Sequence, residues 1–212
     1  MAAIEFWFEF GSSYSYLSVM RIEALAQQAG VEVRWRPFLL GPIFKQLGFD
    51  TSPFVLQPEK GAYVWRDMAR QSAKFGLPWR QPSRFPRRAL LPMRVAMLGC
   101  EQPWIDAFCR EMMMLNFALD TDIEDRATVA AVLARLGLEP DPILAAAEAP
   151  SNKSALHDAT DTARRRGVFG APTFFVGDEM YWGNDRLDDA LAAAASAVAA
   201  TGASPAPSRG SA

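Results

Sequence analysis

The sequence predicts an α/β domain, in the order β-α-β and then β-β-α, with an all-helical insertion between the two parts. Two stretches of alternating hydrophobicity flank a helical stretch near the N-terminus, and a strand-turn-strand pattern precedes a helix near the C-terminus. Between them, apolar residues recur at intervals of three and four. The predicted boundaries assign 1–40 and 167–201 to the α/β domain, 41–166 to the insertion and 202–212 to a disordered tail.

The N-terminal pattern is typical of a parallel β-α-β unit. Over 4–10, Ile4 and three phenylalanines alternate with Glu5, Trp7 and Glu9, and over 31–36 valines and Trp35 alternate with charged residues. Between these strands, apolar residues at helical spacing predict a helix that Gly30 ends. The length of this helix suits the crossover that two parallel strands need.

The central region has the period of helices throughout. Residues 60–75 and 152–166 have helical spacing, and an apolar stripe runs over 104–119 after Pro103, a residue type that commonly opens a helix. No stretch of this region shows the alternation of a strand. The insertion is therefore predicted to contain helices only.

Strands return near the C-terminus. Residues 173–176 and 179–182 have strand character, and the glycine-aspartate pair between them is a hairpin turn signal. A last helix is predicted from about Asp185 to Ala200. The complete order is the topology of a thioredoxin-type domain that is interrupted after its second strand.

Composition excludes several function classes. The 212 residues include 22 Lys and Arg against 24 Asp and Glu, a net charge of −2, so no basic surface is expected for nucleic acid or an anionic membrane. No uncharged apolar stretch approaches the ~20 residues of a membrane span, and the acidic N-terminal sequence lacks the features of a secretory signal. Cys100 and Cys109 suggest neither a disulfide framework nor a metal site. We therefore expect a cytoplasmic protein without a metal ion.

The first candidate site is the turn after the first strand, which contains Ser12, Ser13, Tyr14 and Ser15. A helix begins here, and the unpaired N–H groups at a helix N-terminus favour a bound anion. Ser12 and Ser15 have the spacing of the two cysteines in a C-x-x-C redox turn, whereas an N-cap needs only one hydroxyl. The cluster indicates either a capped helix or a site where a hydroxyl donates to a thiolate or carboxylate.

Two further candidate sites follow the insertion. Pro172 directly precedes a strand, in a Gly-Ala-Pro sequence that fits either a tight turn or a ligand site with exposed backbone groups. Asn184 and Asp185 either cap the last helix or bind a charged group, with Asp185 meeting an ammonium.

In this order, the three segments resemble the 2-hydroxychromene-2-carboxylate isomerases and the kappa-class glutathione transferases. Both belong to the thioredoxin superfamily branch that includes the bacterial periplasmic disulfide oxidoreductases. The matching segments are Phe8-Glu-Phe-Gly-Ser-Ser-Tyr-Ser-Tyr-Leu17, Gly167-Val-Phe-Gly-Ala-Pro-Thr-Phe174 and Gly183-Asn-Asp-Arg186. A weaker match includes Tyr63, Asp67, Arg70 and Gly76-Leu-Pro78. The resemblance covers roughly residues 4–200.

The resemblance implies a thioredoxin domain with a helical insertion, a homodimer, and glutathione as cofactor. By position, Ser12 matches the serine that contacts the glutathione sulfur, and Pro172 matches a cis-proline, with Ala171 pairing with the cysteinyl unit. Asn184 and Asp185 match the positions that hold the γ-glutamyl end. The implied chemistry is glutathione-dependent isomerisation of 2-hydroxychromene-2-carboxylate or a related aromatic catabolite.

Five residues are candidates for contacts with the substrate. Tyr14 and Trp182 either line a substrate cavity or belong to the core. Arg84, Arg87 and Arg88 either pair with a substrate carboxylate or form a solvated basic stretch. Relatives more often have a small polar residue where the last two arginines stand, and this departure affects the substrate more than the fold.

Two alternative functions remain open from the sequence. A kappa-type transferase would use the same thiolate and keep the adduct, and a non-catalytic thioredoxin-like module would bind without chemistry. A disulfide oxidoreductase is disfavoured because Ser12 and Ser15 cannot form a disulfide. His157, the one histidine, is expected at the surface or at a helix cap rather than as a general base.

Overall fold

The structure, a computed structural model, describes residues 2–202, which contain one four-stranded sheet. The strands are β1 (Ala2–Phe8), β2 (Val31–Pro37), β3 (Thr173–Val176) and β4 (Glu179–Trp182), in the spatial order β2-β1-β3-β4. β1 and β2 are parallel, whereas β3 is antiparallel to both β1 and β4. The predicted fold class is confirmed.

Alternation along β1 buries its side chains on both faces of the sheet. On one face, the Phe6 ring stacks on Phe174 at a centroid distance of 5.3 Å and meets Trp35 edge-on at 5.2 Å. On the other face, Trp7 meets the Phe175 ring edge-on at 6.4 Å. Because both faces are apolar and buried, helices have to cover the sheet on both sides.

The crossover between β1 and β2 contains two helices where the sequence predicted one. They are α1 (Ser13–Val19) and α2 (Ile22–Ala29). At the break, the N–H of Arg21 bonds to the carbonyl of Ser18, three residues back instead of four, so that the last turn of α1 tightens. Gly30 ends α2 with φ 66°, as predicted.

The segment between β2 and β3 is helical, and residues 38–172, all of them described, contain no strand. Its helices are α3 (Leu40–Gln46), α4 (Pro53–Leu56), α5 (Pro58–Lys74), α6 (Leu90–Gly99), α7 (Ile105–Phe117), α8 (Arg126–Arg135), α9 (Pro140–Ala147) and α10 (Pro150–Arg165). Within α7, Phe108, Met112 and Met113 are fully buried in the main core. α7 begins two residues after Pro103, because residue 103 belongs to the preceding turn.

The C-terminal part follows the predicted hairpin and helix. A 3-10 helix (Asn184–Arg186) comes between β4 and α11 (Leu187–Gly202), so the last α-helix begins two residues later than predicted. The predicted tail, 202–212, lies outside the described residues except for residue 202, which ends α11.

Both cysteines are free thiols, and Cys109 is buried in the main core, as expected for a small apolar side chain. No helix in the described part of the chain combines the length and apolar character needed to cross a membrane.

Candidate functional site

The first two predicted segments meet where β1 ends and β3 begins. Because β1 and β3 are antiparallel neighbours, the turn after β1 lies beside the residues that precede β3. The Ser12 hydroxyl donates a hydrogen bond to the Ala171 carbonyl oxygen at 2.8 Å. The Ala171–Pro172 peptide bond is cis, as the resemblance implies. One side-chain contact therefore joins two segments that are 159 positions apart in the sequence.

Ser12 is the N-cap of α1. Its backbone is extended, and its hydroxyl oxygen accepts a hydrogen bond from the Ser15 N–H at 3.2 Å. Ser12 is partly exposed, whereas the hydroxyls of Ser13 and Ser15 are buried and have no hydrogen-bond partner among the described residues. The serine cluster thus offers one accessible hydroxyl at this helix N-terminus rather than three.

An exposed aromatic pair lies beside Ala171. The Trp182 ring packs on Phe169 with ring centroids 4.7 Å apart, and the two side chains are 51% and 42% exposed. A Cβ on Gly170 would come within 2.5 Å of the Trp182 indole nitrogen, so a larger residue there would displace the Trp182 ring. Because half of its side chain is exposed, Trp182 is not a core residue. Phe169 is a candidate site residue that the sequence analysis did not identify.

Asn184 and Asp185 belong to the 3-10 helix but differ in exposure. Asn184 is buried, and its side-chain oxygen accepts hydrogen bonds from Ser18 and Arg21, both at 3.2 Å. The Asp185 side chain is 72% exposed and pairs with the neighbouring Arg186 at 3.0 Å. Asn184 thus attaches the third predicted segment to α1, whereas Asp185 has the exposed carboxylate.

Tyr14 connects the start of α1 to the insertion. Its hydroxyl donates to the Asp67 carboxylate at 2.8 Å, and its ring meets Phe54 edge-on. Burial raises the pKa of Tyr14, and the negative charges of Asp67 and Asp185 raise it further. Asp185 is therefore close enough to influence this phenol. Tyr14 is half-buried and packs against the edge of the main core.

The three arginines of the predicted basic stretch differ in exposure and in ion pairing. Arg84 and Arg88 are exposed and form no ion pair or hydrogen bond within residues 2–202. The Arg87 side chain is only 6% exposed and is ion-paired with Asp120, so its interpretation as a solvated residue is wrong. The Arg87 carbonyl oxygen is 3.3 Å from where a Cβ on Gly11 would stand, so this stretch borders the Ser12 turn.

Glu9 is an ionisable group at this turn that the sequence analysis did not single out. Its carboxylate oxygens are 3.2 and 3.4 Å from where a Cβ on Gly11 would stand. No hydrogen bond to this carboxylate comes from the described residues, and burial raises its pKa to about 7. A carboxyl group that exchanges its proton near neutral pH therefore borders the Ser12 turn.

Other ionisable groups and cavities lie away from these segments. His157 is exposed and 3.7 Å from Asp161, in the surface position expected for it. A groove of about 840 Å³ follows the outer edge of β2, and none of the predicted site residues lines it. Among the described residues, no three His, Cys, Asp or Glu side chains are grouped so that they could hold a metal ion.

Fold and site together define a thioredoxin-type protein with a serine-capped helix after its first strand. Residues 3–195 match the family model described as DSBA-like thioredoxin domain, and the chain belongs to this family. The family resemblance expected from the sequence is confirmed.

Curated relatives include both groups that the sequence resembles. The chain is 29% identical over 187 residues to a 2-hydroxychromene-2-carboxylate isomerase of Sphingobium xenophagum, covering 87% of this chain and 94% of that protein. It is 24% identical over 199 residues to glutathione S-transferase kappa 1 of Rattus norvegicus, covering 87% of each. A solved 2-hydroxychromene-2-carboxylate isomerase structure has the same fold, with a TM-score of 0.84 at 24% identity, over 95% of this chain and 98% of that one.

Glu9→Gln tests the protonation of Glu9. Because its pKa rises from 4.5 to about 7, the folded protein holds a proton that the unfolded chain releases between these pH values. The free energy of unfolding of the wild type therefore falls as the pH rises through this window. We expect Glu9→Gln, which does not titrate, to gain about 1–2 kcal/mol over the wild type between pH 4 and pH 8, after discounting for partial solvent access.

Urea unfolding of both proteins across this pH range measures the effect. Burial also raises the pKa of Asp106, to about 6, but Asp106 titrates in both proteins, so their difference isolates Glu9. A difference that stays constant from pH 4 to pH 8 would contradict the assignment.

Proposed function

We propose that this protein is a glutathione-dependent isomerase that acts on 2-hydroxychromene-2-carboxylate or a related aromatic catabolite. The observation that carries the proposal is the Ser12 hydroxyl, which lies at the N-terminus of α1 and beside the Ala171 carbonyl. It is supported by the similarity to a curated isomerase over most of both chains. When bound, glutathione supplies a thiolate that adds reversibly to a conjugated carbonyl and permits bond rotation before it leaves.

The donor set around Ser12 suits a thiolate. A free thiol has a pKa near ~8.5, and a charge-assisted hydrogen bond worth about 1.5–3 kcal/mol lowers that value to about 7. Ser12 supplies one such bond, and the first N–H groups of α1, which lack partners within the helix, favour the same negative charge. These groups would keep much of the bound thiol ionised at neutral pH.

Ser12 has to redirect its proton to do this. Its hydroxyl has a single proton, which it donates to the Ala171 carbonyl oxygen in the structure. When this proton turns towards a thiolate, the Ala171 carbonyl oxygen needs another hydrogen-bond donor. The resemblance pairs Ala171 with the cysteinyl unit of glutathione, whose backbone N–H can be that donor. Ser12 keeps its bond from the Ser15 N–H, so the oxygen stays in place while the proton turns.

The γ-glutamyl end is proposed to bind at the third segment. Asp185 has an exposed carboxylate suited to an ammonium group, and Tyr14 lies near it. The Tyr14 proton is donated to Asp67, which leaves the phenol oxygen as an acceptor. Because the Asn184 side-chain oxygen is occupied by protein donors, Asn184 contributes through its backbone N–H in this proposal.

The aromatic substrate is proposed to lie against Trp182 and Phe169, beside Ala171. Arg84 and Arg88 are the proposed partners of its carboxylate, since both are exposed and unpaired among the described residues. Arg87 is left out because its guanidinium is engaged inside the protein. A cytoplasmic homodimer completes the proposal and is supported by the family resemblance.

A kappa-type transferase is the second candidate, favoured by the similarity to glutathione S-transferase kappa 1 over 199 residues. The two activities differ in their products. An isomerase returns glutathione unchanged and converts the substrate catalytically, whereas a transferase consumes one glutathione for each adduct formed.

Calorimetry and product analysis test the function together. We expect binding heat from glutathione at millimolar concentration or below, and catalytic conversion of 2-hydroxychromene-2-carboxylate without loss of glutathione. Stoichiometric loss of glutathione into an adduct would favour the transferase. The absence of binding heat would contradict both glutathione-dependent activities and favour the non-catalytic binding module.

Ser12→Ala should impair turnover far more than stability. Losing a charge-assisted hydrogen bond of about 1.5–3 kcal/mol predicts a fall in kcat/KM of about 10- to 100-fold, whereas losing the N-cap lowers the free energy of unfolding by about 1 kcal/mol. Enzyme kinetics and urea unfolding measure the two effects.

Ser15→Ala is the matched control, because the same change in the same helix removes a buried hydroxyl without a hydrogen-bond partner in the described structure. We expect it to retain both activity and stability. Equal kcat/KM values for the two variants would remove Ser12 from the mechanism.

Arg88→Gln tests the carboxylate contact. Removing an exposed ion pair worth about 0.2–1 kcal/mol should raise KM for the carboxylate substrate up to about fivefold and leave kcat unchanged. Steady-state kinetics measure the change, with Arg126→Gln, on the exposed Arg126–Glu148 pair of the insertion, as the control. A KM that stays at the wild-type value in Arg88→Gln would exclude Arg88 from substrate binding.

A further inference from the structure

We infer that Arg87 and Asn116 are positioning residues that hold the Ser12 turn through a hydrogen bond to the Phe10 carbonyl oxygen. The positioning is a property of the structure itself, and only its consequence for the thiolate rests on the proposed function. The contacts run from a buried cation, through one carboxamide, to the backbone two residues before Ser12.

Arg87 is the buried cation. Its guanidinium donates to the Asn116 carbonyl at 3.2 Å and to the Asn116 side-chain oxygen at 3.0 Å. It also donates to the Asp120 carbonyl at 3.2 Å and to the Ser83 hydroxyl at 3.3 Å, and it is ion-paired with the Asp120 carboxylate. A buried guanidinium requires partners for its donors, so this set of oxygen atoms fixes its orientation.

Asp120 keeps Arg87 in place. It is the one non-glycine residue with positive φ (56°) among those described, and its carboxylate accepts hydrogen bonds from the Ser83 N–H at 2.8 Å and hydroxyl at 3.0 Å. The bonds from Ser83 and Arg87 lower its pKa to about 2. The anion that anchors Arg87 therefore stays charged at any pH at which the protein would be assayed.

Asn116 transmits this orientation to the turn. It is 1% exposed, and its carboxamide has one oxygen that accepts and one nitrogen that donates. Because the Arg87 guanidinium has donors only, it takes the oxygen, and the amide nitrogen must face the opposite side. There it donates to the Phe10 carbonyl oxygen at 2.9 Å. The cation thus determines which end of the carboxamide faces the turn.

The Phe10 carbonyl lies inside the turn that presents Ser12. The turn is closed by a hydrogen bond from the Ser12 N–H to the Glu9 carbonyl at 3.1 Å, and Phe10 itself lies beyond the end of β1. The next residue, Gly11, has no side chain with which to limit its backbone rotation. The bond from Asn116 therefore adds a second constraint to the backbone of this turn, beside the Ser12–Glu9 bond, and helps to hold Ser12 in place.

Asn116→Asp tests the inference. The substituted carboxylate has the same shape and still accepts from Arg87, but it cannot donate to Phe10 when ionised. Residue-resolved amide hydrogen exchange measures the turn directly. We expect exchange at residues 9–14 to become about tenfold faster or more than in the wild type, while α8 and α9 are unchanged.

Asn152→Asp is the matched control. Asn152 is also a buried asparagine that donates to two carbonyl groups, those of Arg94 and Ala147, both at 2.9 Å, but it does not contact the Ser12 turn. Exchange at residues 9–14 should stay at the wild-type rate in this variant. Wild-type exchange at 9–14 in Asn116→Asp, or equal acceleration in both variants, would overturn the inference.

A second variant covers the case in which Asn116→Asp does not fold, as circular dichroism would show. Asp120→Asn keeps the shape of the residue, removes the ion pair of Arg87 and leaves Asn116 intact. Faster exchange at 9–14 in Asp120→Asn would support the inference, and an unchanged rate would overturn it.

Glutathione binding separates this inference from the proposed function. If wild-type protein binds glutathione as thiolate, measured by calorimetry and ultraviolet absorbance, Asn116→Asp should reduce the bound thiolate fraction at neutral pH about threefold or more. An unchanged fraction would overturn the catalytic consequence. If wild-type protein does not bind glutathione, the proposed function fails, and the exchange rates still decide whether Arg87 and Asn116 hold the turn.

Discussion

The candidate site depends on one hydrogen bond, from the Ser12 hydroxyl to the Ala171 carbonyl. It forms because the chain leaves the sheet after β2, passes through eight helices, and returns with β3 beside β1. That topology brings the end of β1 next to the start of β3 whatever the insertion contains. The same hydroxyl caps α1, so a single oxygen atom makes both a local helix cap and a long-range contact.

This arrangement limits the chemistry that the protein can perform with its own atoms. Ser12 and Ser15 have the spacing of a redox cysteine pair, but two hydroxyl groups can neither form a disulfide nor exchange electrons. The nucleophile in the proposed mechanism therefore belongs to bound glutathione, and the chain contributes direction and charge. The surrounding network serves the same purpose: Asn184 ties the 3-10 helix to α1, and Asn116 ties the turn to a buried ion pair.

The sequence could predict what local patterns determine. Alternation located β1, β2 and the C-terminal hairpin, and the spacing of small and polar residues located the turns at Ser12 and Pro172. It could not predict that Arg87 is buried, because its partner Asp120 is 33 positions away and neither residue follows a periodic pattern. Glu9 was missed for a similar reason: alternation gives the face of its side chain but not the burial of its carboxylate beside Gly11. The exposed pair of Phe169 and Trp182 likewise depends on the register of β3 and β4.

A crystal structure of the protein with glutathione tests the central claim most directly. Our account predicts the glutathione sulfur within hydrogen-bond distance of the Ser12 hydroxyl, with the Ala171 carbonyl accepting from the peptide backbone of the ligand in place of Ser12. A sulfur atom bound elsewhere, with Ser12 still donating to Ala171, would contradict it.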